Sequence, residues 1–377
     1  MKKISKIRLS KCSVSSEDTI AVTNALKNEY LGHGSFVVDF ENKIKSYLGE
    51  NVSVSCVNSG TAALHLALES LELPKNSEVL VPSITYVATF QAISAAGLTP
   101  VPCEVSEKTL FLDPKDVLKK INVRTKCILP VHHSSSNKGI VEILEIAKKH
   151  KLRVVEDCAQ SFGSKCYYSD EKVGTNPYDI CCFSFDGIKN ITSAEGGCVV
   201  SKRKTTISYI NDARFLGVEK DTIARNQGKR SWNYDVKIQG YRYHMSNINA
   251  ALGLSQLKRI DLFKSKRISL VEGYKTYLSS LNEITFFDLD YKNIMPHIFA
   301  IKVEKRNSLR EYLLKLNIET GIHYFPNHCL TKYKSPFSLP KSDLIFSKII
   351  TLPLHVDLTL KDVQRVSKSI IKFYNLC

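Results

Sequence analysis

At 377 residues the chain is longer than one compact core usually grows, and 43% hydrophobic against 24% charged residues excludes wholesale disorder. No run approaches the ~18 apolar residues of a membrane span, and the basic start Met1-Lys2-Lys3-Ile4-Ser5-Lys6 has no apolar stretch behind it, so a signal peptide is not expected. The net charge of +16 admits nucleic acid, an anionic membrane or an anionic small molecule, but Lys and Arg are spread along the chain, which disfavours the first two.

The eleven cysteines are scattered, with no C-x-x-C pair, and Cys56, Cys127 and Cys181 sit inside apolar runs. Neither a disulfide scaffold nor a zinc module is expected, and the reading is a reducing cytoplasm.

From about residue 52 to 200, short apolar runs alternate with amphipathic segments. Strands are expected at Val52–Val57, Glu78–Val81, Thr99–Val105, Lys126–Val131, Leu152–Glu156 and Cys181–Phe185. Helices are expected at Ala62–Ser70, Val87–Ala95, Pro114–Ile121 and Val141–Lys149. This alternation predicts an α/β fold with a mostly parallel sheet covered on both faces, and ligands gather at the carboxyl ends of such strands. Beyond residue 245 the texture changes to α+β. One long helix is expected from Ser246 to about Leu281, with Gly253 and Gly273 as weak points. A strand at Ile298–Val303 and helices at Leu309–Leu316 and Leu360–Tyr374 follow. The expected division is a large domain over 1–245 and a smaller C-terminal domain over 246–377.

Four features fall at expected strand ends. Asn58-Ser59-Gly60-Thr61-Ala62-Ala63 places small polar residues where a helix begins, which suits an ordinary N-cap or a phosphate held by free N–H groups and the Thr61 hydroxyl. Asp157 closes a buried strand and either caps a helix or pairs with a protonated heterocyclic nitrogen. Lys189 follows the Phe183-Ser184-Phe185 strand and is either solvated or a Schiff-base lysine held near an apolar pocket. Tyr86 packs in the core or stacks on a planar cofactor. Together the four are what pyridoxal phosphate requires of its protein.

At these residues the chain resembles the DegT/DnrJ/EryC1/StrS sugar aminotransferases, fold type I enzymes that use pyridoxal 5'-phosphate. The likeness runs from Leu31-Gly32-His33-Gly34 and Phe40-Glu41 through Ser59-Gly60-Thr61-Ala62, Glu156-Asp157-Cys158-Ala159-Gln160, Ser184/Lys189 and Glu195-Gly196-Gly197. It continues over Gly240 to Gln256, His323-Tyr324-Phe325-Pro326-Asn327-His328 and Leu352-Pro353-Leu354. The resemblance implies that Lys189 forms the Schiff base and shuttles the proton, and that Asp157 holds the ring nitrogen charged. It further implies Gln160 at the ring oxygen, Tyr86 on the ring face, and Gly60, Thr61 and Ser184 on the phosphate. His323, Tyr324 and His328 fall in the region near the substrate, where structural histidines are an equal alternative. No metal is implied.

Three departures stand out. Arg242, in Gly240-Tyr241-Arg242-Tyr243-His244-Met245, replaces an asparagine that reaches the phosphate of the neighbouring subunit. His133-Ser134-Ser135-Ser136-Asn137-Lys138 replaces a Tyr-Gly-Gln-Pro-like run, and Ala194 replaces a glycine.

The function implied is transfer of an amino group from L-glutamate to C4 of a nucleotide-linked 4-keto-6-deoxyhexose carried on dTDP, for O-antigen or another surface polysaccharide. It implies a cytoplasmic homodimer with shared active sites. C4 rests on a loose likeness of 187–192 and 243–247 to 4-amino-4,6-dideoxyhexose enzymes; C3 amination is the alternative. A dehydratase relative carries histidine where this chain has Lys189. A non-catalytic cofactor-binding regulator would lose part of the catalytic set or gain a DNA-binding domain, and neither is visible.

Overall fold

The structure, a computed structural model, describes residues 5–28, 30–218 and 234–376. Seven strands form the main sheet: β1 (Ser53–Val57), β2 (Glu78–Pro82), β3 (Thr99–Cys103), β4 (Thr125–Ile128), β5 (Arg153–Asp157), β6 (Ile180–Ser184) and β7 (Gly197–Ser201). Their order is β1-β7-β6-β5-β4-β2-β3. Strands β3, β2, β4, β5 and β6 pair in parallel, while β7 runs antiparallel to both β1 and β6. Alternate residues face opposite cores, as a two-residue period requires. Ile180 and Cys182 pack with helices Gly60–Glu69, Val87–Ala95 and Lys204–Ala213; Cys181 and Phe183 pack with helix Ser35–Leu48. Both faces are covered, so the strands are continuous apolar runs. The buried cysteines contribute to these faces as small apolar side chains.

Strand β7 is absent from the sequence expectation, because its glycine-led run follows Glu195-Gly196 and reads as a turn. Its glycine is required by close approach: a Cβ on Gly197 would lie 2.6 Å from the Ser59 carbonyl and 2.8 Å from the Gly60 nitrogen.

The single helix expected over 246–281 is two helices, Asn247–Leu257 and Ile260–Leu278. The break falls at Lys258–Arg259 and not at either glycine. Asp18 fixes it, accepting from Gln256 Nε2 at 2.8 Å and from the Arg259 guanidinium. Gly253 stays helical because helix Ser35–Leu48 crosses tightly there; a Cβ would stand 2.6 Å from Phe40.

A second antiparallel sheet, ordered β10-β9-β8, comprises β8 (Ile284–Phe286), β9 (Phe299–Val303) and β10 (Ile349–Leu352). It shares a core with helices Ile260–Leu278, Arg306–Lys315 and Leu360–Leu376, and makes the smaller α+β domain. Two sets of contacts cross the division expected at 245. Helix Asn247–Leu257 packs on the helices Ser16–Lys27 and Ser35–Leu48. Residues 7–9 run along the C-terminal part, with Ile7 bridged to Ile318 and the Leu9 carbonyl accepting from Leu354 N–H at 3.0 Å.

Candidate active site

A cavity of about 480 Å³ opens at the carboxyl ends of β1, β2, β5 and β6. It is walled on its other side by Leu9, His297, His323 and Tyr324. Gly60, Thr61, Tyr86, Asp157, Gln160, Ser184 and Lys189 all line it, so the residues singled out at four strand ends meet in one place.

At the end of β1, Ser59 caps helix Gly60–Glu69 by accepting from Ala62 N–H at 3.1 Å. The first-turn N–H groups of that helix face the cavity with the positive end of its dipole. Gly60 lies so close to β6 that a Cβ would stand 2.7 Å from the Ser184 Cβ. Any larger residue would fill the cradle between Thr61 and Ser184.

Asp157 ends β5 and is buried. Its Oδ2 accepts from Thr89 Oγ1 at 2.8 Å and its Oδ1 from Ala159 N–H at 3.1 Å. Burial pushes its carboxyl above the usual range, opposed by those two donors and the charge of Lys189. Burial lowers the Lys189 amine, against the attraction of Asp157 and Asp186. A cavity that holds an anion and an amine at such cost suits a ligand with a cationic ring atom and a carbonyl carbon.

Gln160 is held at both ends, its Oε1 accepting from Ser134 N–H at 2.8 Å and its Nε2 donating to the Tyr324 hydroxyl at 2.9 Å. Tyr86 is 60% exposed at the rim, its ring tilted 47° to that of Tyr324 with centroids 5.8 Å apart.

The model of the DegT/DnrJ/EryC1/StrS aminotransferase family matches residues 13–371. The chain belongs to that family. Among solved structures it is similar to Helicobacter pylori PseC, an aminotransferase involved in the biosynthesis of pseudoaminic acid, at 26% identity and TM-score 0.90, over 99% of this chain and 100% of that one. The sugar aminotransferase CalS13 from Micromonospora echinospora matches at 27% identity and TM-score 0.86, over 97% and 99% of the two chains. NtdA from Bacillus subtilis, solved with bound cofactor PMP, matches at 25% and 0.84, over 97% and 85%. The protein is a fold type I, pyridoxal-phosphate-dependent sugar aminotransferase.

Two residues expected at this aminotransferase's site stand outside the cavity of their own chain. His328 is buried and engaged, Nδ1 with Ser83 Oγ at 2.7 Å and Nε2 with Asp343 at 3.3 Å. Arg242 is exposed; Tyr241 and Tyr243 on either side turn inward onto His65, at 4.9 and 5.9 Å between ring centroids. His323 does line the cavity, its Nδ1 on Thr351 Oγ1 at 2.8 Å, and burial holds its ring neutral with a pKa of about 4.

Sequence reasoning missed Thr89 and His297. Thr89 lies in the first turn of an apolar helix and nothing in its spacing marks it. His297 is buried at the cavity wall, with no hydrogen-bond partner for its Nδ1 among the described residues and its backbone N–H donated to Ser135 Oγ at 3.0 Å. Behind Asp157, His132 Nε2 meets Glu156 at 3.0 Å and its Nδ1 meets Ser161 at 3.1 Å, a buried pair whose groups satisfy one another.

Proposed function

We propose that this aminotransferase moves an amino group from L-glutamate to C4 of a nucleotide-linked 4-keto-6-deoxyhexose carried on dTDP, in the cytoplasm, for a surface polysaccharide. The observation that carries the reading is the convergence of Lys189, Asp157 and the Gly60–Thr61–Ser184 cradle on one cavity. Pyridoxal phosphate supplies, when bound, a carbonyl that accepts the amino group and a ring that takes up the electron pair left when a carbon loses its proton.

The chain's own residues do the rest. Gly60 and Thr61 N–H groups and the Thr61 and Ser184 hydroxyls bind the phosphate, at the positive end of a helix. Asp157 keeps a proton on the ring nitrogen; a carboxylate opposite that nitrogen favours the charged form, and each pKa unit is worth ~1.4 kcal/mol. Lys189 Nζ, with its basicity lowered by burial, takes the proton from the donor's α-carbon in the first half-reaction and gives a proton to the sugar carbon in the second. Tyr86 covers the ring face and Gln160 meets its oxygen. His323 and Tyr324 bound the space left for substrate. One site serves both half-reactions, so the kinetics are ping-pong. The net charge of +16 favours a diphosphate-bearing substrate.

The protein acts as a homodimer in which Arg242 reaches the partner's cofactor phosphate. Its outward side chain, between two tyrosines turned inward, supports that direction. C4 rests on the likeness of 187–192 and 243–247 to 4-amino-4,6-dideoxyhexose enzymes. The test is incubation of the pyridoxamine form with dTDP-, UDP- and GDP-linked 3- and 4-keto sugars, with product structures read by NMR. Amination at C3 alone, or on another nucleotide alone, would replace the assignment.

A further inference from the structure

The loop 133–138, where the chain leaves its family's pattern, closes a ring of hydrogen bonds beneath the cavity. Ser134 N–H donates to Gln160 Oε1 at 2.8 Å, and Gln160 Nε2 donates to the Tyr324 hydroxyl at 2.9 Å. The ring returns through the chain to His323, whose carbonyl lies 3.0 Å from His133 Nε2, and His133 Nδ1 meets Ser134 Oγ at 2.9 Å. His133 and Ser134 are wholly buried.

The protons shared between these groups follow from donor and acceptor chemistry and from burial. A backbone N–H only donates, so Oε1 of Gln160 must face Ser134 and the amide cannot flip. Nε2 therefore donates to Tyr324, whose oxygen is the acceptor. A carbonyl only accepts, so His133 carries its proton on Nε2. Burial keeps that ring neutral, with a pKa of about 4, so Nδ1 is bare and accepts from the Ser134 hydroxyl. Two protons remain without an acceptor inside the ring, the second on Gln160 Nε2 and that of the Tyr324 hydroxyl, and Tyr324 lines the cavity as Lys189 does.

The backbone at this point takes a conformation that non-glycine residues rarely adopt. Ser134 and Ser135 have φ of 54° and 72°, the left-handed region in which a side chain costs roughly 1 kcal/mol or more per residue. That conformation brings Ser134 N–H to Gln160, and Ser135 Oγ to the Gln160 carbonyl and the His297 N–H.

We propose that His133 and Ser134 are positioning residues that, through Gln160 and the His323 carbonyl, hold the Tyr324 hydroxyl with its proton turned into the cavity, as a donor to an oxygen of the bound substrate. This rests on reading the Lys189 cavity as the active site. The oxygen is a carboxylate of the amino donor or a hydroxyl or carbonyl of the sugar.

The test is a double-mutant cycle on the holoenzyme, with single-turnover rates for L-glutamate and for dTDP-4-keto-6-deoxyglucose. Tyr324→Phe should lose at least tenfold in one of the two reactions, which tells whose oxygen is met. In that reaction His133→Leu should lose about tenfold in the wild-type background and less than twofold beside Tyr324→Phe, because the hydroxyl it serves is gone. His133→Gln, which keeps a donor for the His323 carbonyl, should recover most of the rate. Equal losses from His133→Leu in both backgrounds, or a Tyr324→Phe enzyme at wild-type rate with both substrates, would overturn the proposal. Retained turnover in Lys189→Ala would instead overturn the site itself. Should His133→Leu fail to fold, Ser134→Ala takes its place. Ring ¹⁵N shifts of His133 in the unaltered holoenzyme give an activity-free reading: a neutral ring protonated on Nε2 from pH 5.5 to 8 is expected, and an Nδ1-protonated ring refutes the proton placement.

Discussion

Thr89 Oγ1 stands 2.8 Å from Asp157 Oδ2, so a hydroxyl from one helix holds a carboxylate at the end of a neighbouring strand. The Thr85 hydroxyl lies 2.9 Å from that of Thr89 and extends the chain of bonds. With one oxygen fixed by Thr89 and the other by Ala159 N–H, the Asp157 carboxylate has one orientation. Thr89→Val keeps the shape and removes the donor; hydrogen bonds to charged groups are worth about 1.5–3 kcal/mol. The rate of glutamate half-transamination should fall by about tenfold with the fold intact. Asp157→Asn should keep the cofactor and lower the same rate by at least a hundredfold, measured by stopped-flow absorbance. A wild-type rate in Asp157→Asn would end its assignment to the ring nitrogen.

Lys189→Ala should abolish turnover and the visible absorption of the bound cofactor while the protein stays folded. Borohydride reduction of the wild type, followed by peptide mapping, should place the cofactor on the peptide containing Lys189. Its recovery on another lysine would move the active site.

Arg242 can be tested by subunit mixing. A guanidinium makes two charge-assisted hydrogen bonds to a phosphate, so Arg242→Asn should weaken cofactor binding modestly and Arg242→Glu should release it. Lys189→Ala and Arg242→Glu subunits should each be inactive alone. If Arg242 serves its partner, a mixed dimer holds one site with both lesions and one with neither, and activity returns. Absence of recovery despite demonstrated subunit exchange would show that Arg242 serves its own chain or none.

Stability should fall on mild acidification. Burial holds His33 at about 3 and His133 and His323 at about 4, below the ordinary histidine value of 6.5. The unfolded chain therefore binds more protons between those values, and stability present above pH 6.5 is lost as pH falls toward 4. With three rings and ~1.4 kcal/mol per pKa unit, the combined loss by pH 4 is on the order of 10 kcal/mol. Melting temperatures at pH 7.5, 6.0 and 5.0 should decline in that order, and a flat profile would show these rings protonated in the folded state.

Much of the site was legible because parallel strands deliver their last residues to one edge. Asp157, Ser184 and Lys189 follow apolar runs that only a buried strand explains, and that edge gathers them. Thr89 and His297 were not legible, because each is chosen by what lies across from it: Thr89 by β5, His297 by the loop 133–138. The break at Lys258–Arg259 was hidden for the same reason, since Asp18 makes it from 238 and 241 residues away along the chain. Glycines at 253 and 273 suggested weakness where the helices needed close approach, to Phe40 in one case and to Leu360 in the other. His328 shows the converse: its residue type suggested chemistry, and Ser83 and Asp343 occupy it.

The strap of residues 7–9 has a practical consequence for how this enzyme can be cut. Leu9 and Ser10 stand in the cavity wall, four and three residues ahead of position 13, where the family match begins. A chain trimmed to the matched span of 13–371 would look complete by likeness, yet it would lack that wall and the Leu9 carbonyl that fastens Leu354. Its cavity would open to water on the side that Leu9 and Ser10 close.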